Sequence, residues 1–554
     1  MSVTIPIDSQ PASLQSQQLA AEFPDDNDQC PPTVSVWALV VVVLPFLAIP
    51  ATHLYSNSET ATGFFHYELP YYVANGRSAL ERGNGLLYPN PYDPSADAPA
   101  IYAHWLPQLL GILTSSLGLD PGTLIVWFTA AAALLLAVMT QRLVQGCLPE
   151  EFPHPTLALF GAMWGGGFLI VGGALTSWIN SRTDFDLLRL DPGHGMWFLN
   201  WGRNSLFPTE AIYHALCAGC WIAEIRNRRF MANAFLLLLA TTHPWSGLEL
   251  LLTINLWRGI QLVTKRDRDR VLHFGFAVSV LVIFLSYYKL WLPSFEQHAA
   301  LQSVWELDWS LAWSSAIPAW GIVAAAAGWR LWNHPDDLRT ITVQFLLCAL
   351  TVAVALSLHD RIIKPVQPLH FTRGYVWMPL FLLGAPVLLT AIHQLWRRSR
   401  GMKAVAVGLA ILFVTDNLSF AIIQCGHQYR QEDGFHLDHH DRALLADLHV
   451  RYPGLVTLTD SEDINYVLPA YANLRPWLGH QFNTPEFAQR SAVMHDCFPV
   501  GTISPETIPS DVTLLVVEKN RNSKPLALSD QWLDSDIPNA KWAVWIRCTE
   551  ATER

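Results

Sequence analysis

Val36-Trp37-Ala38-Leu39-Val40-Val41-Val42-Val43-Leu44-Pro45-Phe46-Leu47-Ala48-Ile49-Pro50-Ala51-Thr52-His53-Leu54 is followed, after a short polar loop, by Phe64-Phe65-His66-Tyr67-Glu68-Leu69-Pro70-Tyr71-Tyr72. The first run has no Asp, Glu, Lys or Arg and is close to the roughly 20 apolar residues that cross a hydrocarbon core as a helix. The second sets a carboxylate among aromatic rings and a proline just beyond that helix. Together they predict an ionisable group at one surface of a membrane, and the rest of the chain decides what it does there.

Of 554 residues, 51% are hydrophobic and only 15% charged, whereas soluble domains carry about 25% charged residues. The 23 tryptophans agree with a membrane setting, because indole rings favour the interface, where the ring is apolar and the N–H is wet. A formal charge of −11 argues against nucleic acid as a partner. The eight cysteines have no metal-site spacing. Cys217 and Cys220 read as small packing residues in an apolar helix, while Cys425, Cys497 and Cys548 fall in the C-terminal region, where a location outside the cytoplasm would allow one disulfide among them. Residues 1–34 are acidic, lack Lys and Arg, and are rich in Ser, Gln and Pro, which predicts a disordered tail and no cleaved leader.

Apolar segments of helical length occur at 36–54, 122–140, 157–174, 206–225, 230–243, 247–264, 271–292, 311–332, 340–358, 374–396 and 403–424. The predicted fold is an all-α polytopic membrane protein of about eleven transmembrane helices over 35–424. The stretch 101–118 is short and broken by Pro107, and it reads as an interfacial helix in the first outer loop, 55–121. Basic residues crowd Arg226–Arg229, Lys265–Arg270 and Arg397–Lys403, which assigns those loops to the cytoplasm. Counting from them puts the N-terminus in the cytoplasm, and loops 55–121, 175–205, 293–310 and 359–373 outside with everything after 424. Residues 425–554 are polar, with strand-like runs at 455–459, 512–518 and 542–547 and a helix-like 441–451, and predict a small extracytoplasmic α/β domain.

The first outer loop interleaves Glu68, Arg77, Glu81, Asp93 and His104 with Tyr71, Tyr72, Tyr88, Tyr92 and Tyr102. Such density of turn residues and aromatics predicts a shaped loop. An acidic residue after the first span, then His104-Trp105-Leu106-Pro107 opening a helix, then the second span, resembles the GT-C superfamily of membrane glycosyltransferases that use polyprenyl-phosphate sugars. Protein O-mannosyltransferases and aminoarabinose transferases are similar in this arrangement. In that resemblance Glu68 matches the second residue of the family's acidic pair, His104 a His or Lys facing the donor, and Pro107 a proline of that later element. Tyr67 stands where the first acid would be.

The resemblance implies transfer of a sugar from a lipid-linked donor to a glycan, lipid or protein acceptor at the outer face of a bacterial inner membrane. Attack at an anomeric carbon needs a base on the acceptor hydroxyl, and one carboxylate suffices for inversion, so Glu68 is the candidate base. The phosphate leaving group needs cationic donors. Arg373 leads these, followed by His370, Lys364 and Arg77. Asp184 and Asp186, in a loop with Asp191 and His194, either line the same cavity or offer oxygen ligands to a divalent cation, the one cofactor these residues suggest. His243 and Glu249 are ionisable groups at the ends of adjoining helices. Arg475 and His480, in Arg475-Pro476-Trp477-Leu478-Gly479-His480, could fold back over the site, and Asp441 could cap a helix in the His-rich run 436–441. No phosphate-binding glycine loop, nucleophile elbow or His-Glu-x-x-His is present. The alternatives are a transporter or flippase-like protein, marked by broken helices with charges at the midplane, and a degenerate scaffold, which the missing acid at Tyr67 allows.

Overall fold

The computed structural model describes residues 36–148, 154–180, 185–305, 307, 309–499, 503–519 and 531–548, so the tail 1–34 and Asp184 lie outside the described residues. The chain begins with helix α1 (Val36–Ser56), then α2 (Leu69–Glu81) and α3 (Trp105–Leu117) in the first loop, then α4 (Pro121–Cys147). A bent pair follows, α5 (Pro155–Trp164) and α6 (Leu169–Ile179), and then the short α7 (Gly202–Leu206) leads into α8 (Pro208–Ile225). The bundle continues with α9 (Arg229–Ala240), α10 (Pro244–Thr264), α11 (Arg268–Ser286), α12 (Glu296–Trp305), α13 (Trp313–Asn333), α14 (Ile341–Ser357), α15 (Trp377–Arg397) and α16 (Arg400–Tyr429).

Among the described residues, five helical stretches are long and apolar enough to cross a membrane: α1, α4, 268–294, α15 and α16, with the bent pair as a sixth if it forms one span. The chain is an integral membrane protein. Its other apolar helices are shorter or less apolar, α9 having 12 residues. Trp37, Trp127, Trp178, Trp313, Trp329 and Trp332 are exposed near the ends of their helices, where indole rings suit a membrane interface. The basic loops share one end, where Arg229 pairs with Asp269 and His154 meets His393 at 2.7 Å.

The span read at 157–174 is broken. Gly165, Gly166 and Gly167 stand at the break, and a Cβ on Gly167 would collide with the Pro318 carbonyl. Phe168 N–H donates to the Pro318 carbonyl of α13 at 2.7 Å, and other backbone groups freed by the break are taken up by α16. Asp416 accepts from Leu169 N–H at 3.1 Å and Ile170 N–H at 2.9 Å, and Asn417 donates to the Trp164 and Gly165 carbonyls. A buried break in a membrane helix persists only with such satisfaction.

Beyond α16 the chain forms an α/β unit: α17 (His439–Arg451), β1 (Val456–Thr459), α18 (Glu462–Tyr471), β2 (Arg475–Pro476), α19 (Phe487–Cys497), β3 (Leu514–Glu518), β4 (Trp532–Asp534) and β5 (Trp542–Arg547). The strand order is β2-β1-β3-β5-β4. β1 is parallel to β2 and β3, with Thr457 opposite Leu514, whereas β5 runs antiparallel to β3 and β4. One face of the sheet, through Leu514, Val516, Trp542 and Val544, belongs to the same core as the helical bundle. The other face covers a second core with Trp477, Met494 and Cys497. Asp438, not Asp441, caps α17, and Asp441 completes a capping box while pairing with Lys541 at 2.8 Å. Cys425, Cys497 and Cys548 form no disulfide; Cys497 lies inside the second core, where its thiol donates to the Thr507 carbonyl.

The seam between this unit and the bundle fixes the first loop. Phe435 N–H donates to the Phe64 carbonyl at 2.8 Å and Leu437 N–H to that of Thr60 at 2.7 Å, while Gln428 donates to the Phe65 carbonyl at 2.8 Å and meets His53 at 2.9 Å. Helices α2 and α3 cross with Gly76 against Gly111, where a Cβ on either would enter the other's backbone. α3 has 13 residues, too few to span a bilayer, and its exposed Leu109, Ile112 and Leu117 suit an interfacial position.

Candidate functional site

Glu68 is the residue before α2, and no helix N–H is bonded to its side chain. The carboxylate instead reaches across the seam, where Oε2 lies 3.3 Å from His480 Nε2. The His480 ring is 1% exposed and the Glu68 side chain 27%, so the carboxylate has one covered side and one open side. Around them stand Tyr67, Tyr71, Tyr92 and Tyr466, whose rings lie 5.0–5.5 Å from the imidazole.

Burial pushes the Glu68 carboxyl upward, but the charge and hydrogen bond of His480, then Arg203 and His66, outweigh it, and the group is held below the ordinary glutamate value. Glu68 is therefore a carboxylate at neutral pH. His66, beside Phe207 with ring centroids 4.6 Å apart, is pushed down to about 4, first by burial. It is a neutral imidazole in this loop.

The second charged group comes from the helix entrances. Arg203 of α7 stacks over Phe207 at 4.3 Å and Trp197 at 5.0 Å, and its Nε lies 3.4 Å from Glu210 Oε1 in the first turn of α8. Glu210 also receives Nη1 of Arg373, and both of these side chains are 1% exposed. Arg373 spends Nε on the His370 carbonyl at 2.9 Å, while its Nη2 and Glu210 Oε2 are buried without a protein partner. Arg203 acts electrostatically on both Glu68 and Glu210, so it links the two clusters. The Arg203–Glu210–Arg373 group has an excess positive charge, and through Arg203 it acts on Glu68.

His104 stands apart, held between the Tyr88 hydroxyl at 2.7 Å and the Tyr288 hydroxyl at 3.2 Å. Tyr288 reaches it because 287–291 forms a π-helical turn that also brings the Tyr287 hydroxyl to the Ile101 carbonyl at 2.9 Å. Burial pushes His104 down to about 4. Glu68, His104 and Arg373 thus have three separate sets of contacts, with no direct bond from one to another.

The other predicted residues take different places. Arg77 pairs with Glu81 at 2.6 Å and donates to the Ala470 carbonyl at 3.2 Å, tying α2 to the C-terminal unit. Arg475 donates to the Gly454 carbonyl at 2.8 Å within that unit. Lys364 is exposed in its loop. His370 packs its ring against Trp197, Trp245 and Trp309. Asp186 faces His194 at 3.4 Å and accepts from Leu188 N–H, and Asp191 is used by the N–H groups of Gly193, Trp197 and Phe198. Among the described residues no three His, Cys, Asp or Glu side chains form a metal-ligand set. Glu249 is buried, with Oε2 unpartnered. A cavity of about 40 Å³ lies deeper, lined by Asn200, Asn204, His214, Gly374 and Tyr375 among apolar side chains, and contains none of Glu68, His104 or Arg373.

Sequence reasoning missed Arg203 and Glu210. The available sign was a lone glutamate in an apolar helix with an arginine seven residues earlier, since intramembrane carboxylates need partners.

No protein-family model matches the chain, and no curated protein matches it. Its structure is similar to that of the apo oligosaccharyltransferase of Archaeoglobus fulgidus, with a TM-score of 0.53 at 10% identity, covering 87% of this chain and 69% of that one. It is also similar to the arabinofuranosyltransferase AftD from Mycobacteria, with a TM-score of 0.50 at 12% identity, covering 93% of this chain and 40% of that one. At these identities the likeness is one of architecture. The chain shares its overall fold with these two proteins.

Proposed function

We propose that this protein is an inverting membrane glycosyltransferase that moves a sugar from a polyprenyl-phosphate donor to an acceptor hydroxyl at the extracytoplasmic face. The observation that carries the reading is a half-open carboxylate, Glu68, beside the arginine group led by Arg203, in a fold shared with two glycosyltransferases. Glu68 is the base that takes the acceptor proton as the hydroxyl attacks the anomeric carbon, and the sugar–phosphate bond breaks toward the phosphate. Arg203, 15% exposed, meets the negative charge that grows on the leaving phosphate. Arg373 supports it from behind: with only 1% of its side chain exposed, it has Nη2 alone to offer a ligand.

Basic loops at the end of the bundle remote from Glu68 support an orientation with those loops in the cytoplasm and the C-terminal unit outside. About eleven spans and a bacterial inner membrane fit this orientation. The break at 165–167 is the mark expected of a transporter, yet Asp416 and Asn417 already occupy its polar groups, so it supports a structural role. The acceptor class stays as broad as glycan, lipid or protein.

The test is transfer from a labelled polyprenyl-phosphate sugar by the purified full chain in lipid nanodiscs, with membrane extracts as acceptor source. Arg203→Gln is expected to cut kcat/KM by about 10²-fold, and Arg203→Lys to recover only part, because an ammonium lacks the paired donors of a guanidinium. Transfer unaffected by Arg203→Gln would remove the arginine from the mechanism.

A further inference from the structure

We propose that His480, from the C-terminal unit, is a positioning residue for Glu68, so that the base is assembled across a seam between residues 412 apart in the chain. This rests on the transferase reading above.

The ring's hydrogen placement follows from its own loop. Phe482 N–H donates to His480 Nδ1 at 3.0 Å, which makes Nδ1 the acceptor. In the neutral ring the hydrogen then sits on Nε2, the nitrogen facing Glu68 Oε2. His480 therefore donates to the carboxylate and is not arranged to take its proton. Among the described residues none bonds Oε1, which is left to meet the acceptor hydroxyl.

The loop that carries His480 is braced from four directions. Asn90 donates to the Asn483 carbonyl at 2.6 Å, Trp305 Nε1 to the Phe482 carbonyl at 2.7 Å, and Gln481 N–H to the Tyr67 hydroxyl at 3.0 Å. Thr484 closes the turn, its N–H donating to the His480 carbonyl at 2.8 Å and its hydroxyl accepting from Gly479 N–H at 3.1 Å. Gly479 leaves room for the Tyr92 ring, which a Cβ would meet at 2.6 Å. A histidine held this firmly fixes the rotamer of the carboxylate it touches, and orientation of this kind contributes to rate without direct contact with substrate.

The groups that bear on Glu68 come from every element around it. Its own segment supplies His66, Tyr71 and Tyr72, α7 supplies Arg203, and the C-terminal unit supplies Tyr466 and His480; Tyr67 and Tyr92 complete the ring. Burial and the nearby carboxylate keep the tyrosine hydroxyls neutral, so the groups that favour the ionised form of Glu68 are His480, Arg203 and His66. Of these His480 is the largest. Its removal leaves burial less opposed, and the carboxyl then protonates at higher pH.

The experiment is pH-difference infrared spectroscopy on the full chain, with the Glu68 carboxyl band identified by its loss in Glu68→Gln, run beside the transfer assay. His480→Ala is expected to move the Glu68 midpoint up by about one pH unit. The acid limb of the kcat profile should move with it, kcat at low pH falling about tenfold or more while donor KM changes little. His480→Gln, whose amide N–H can occupy the Nε2 position, is expected to restore most of both. An unshifted Glu68 band in a folded His480→Ala protein, or no rescue by Gln, overturns the positioning role. A shifted band together with wild-type transfer by Glu68→Gln keeps that role and overturns the base.

Discussion

Glu68→Gln is expected to lower sugar transfer by about 10²–10⁴-fold, the contribution of a positioned general base, while leaving the protein folded. Glutamine keeps the shape of the side chain, and its carbonyl oxygen can still accept from His480 Nε2. What it loses is the negative charge and the ability to carry the acceptor's proton. The loss should therefore appear in kcat, with donor KM close to wild type, because the leaving phosphate is met by the arginines and not by Glu68. Glu68→Asp retains the charge but withdraws it by one methylene, and partial activity is expected. Initial rates with a labelled donor, paired with a thermal melt, separate this from unfolding; a Glu68→Gln protein that transfers at the wild-type rate removes Glu68 from the chemistry.

The second large effect is on stability. Glu210 and Arg373 are each 1% exposed and share one ion pair, with Arg203 as a third member. Replacing Glu210 by Gln leaves the buried Arg373 guanidinium beside that of Arg203 without the carboxylate that pairs with both. Breaking a buried pair from one side costs about 3–5 kcal/mol, so Glu210→Gln is expected to lower the melting temperature sharply and reduce yield in detergent. Adding Arg373→Gln removes one of the uncompensated charges, and the double variant should be more stable than Glu210→Gln alone. Its transfer rate should stay low, because the cationic group facing the phosphate is then depleted. If Glu210→Gln melts as wild type does, the pair does not organise this end of the bundle.

The sequence makes the helical bundle readable because uninterrupted apolar runs such as 36–54 and 403–424 have one physical solution in lipid. It makes the break at 165–167 partly readable, since three consecutive glycines weaken any helix, but nothing local announces that Asp416 will cap it from far along the chain. Glu68 stands out because an acid between aromatics and a proline is unusual beside a span. Its partner does not: His480 lies in a turn of the C-terminal unit, and their contact depends on how that unit docks through 435–437 against 60–64. Arg373 reads as an exposed cation at a helix entrance, whereas the fold spends it on Glu210. Arg203 passes as an ordinary loop residue until the bundle sets it over Phe207 and Trp197. What was legible came from local pattern, and what was hidden came from tertiary pairing of charges.

A structure of the full chain bound to a non-transferable polyprenyl-phosphate sugar analogue tests the central claim most directly. The predicted result is the phosphate within about 3 Å of Arg203 donors, the lipid running along the apolar helices, and the anomeric carbon on the open side of Glu68. A phosphate bound at another part of the surface, with Glu68 remote from the sugar, would contradict it.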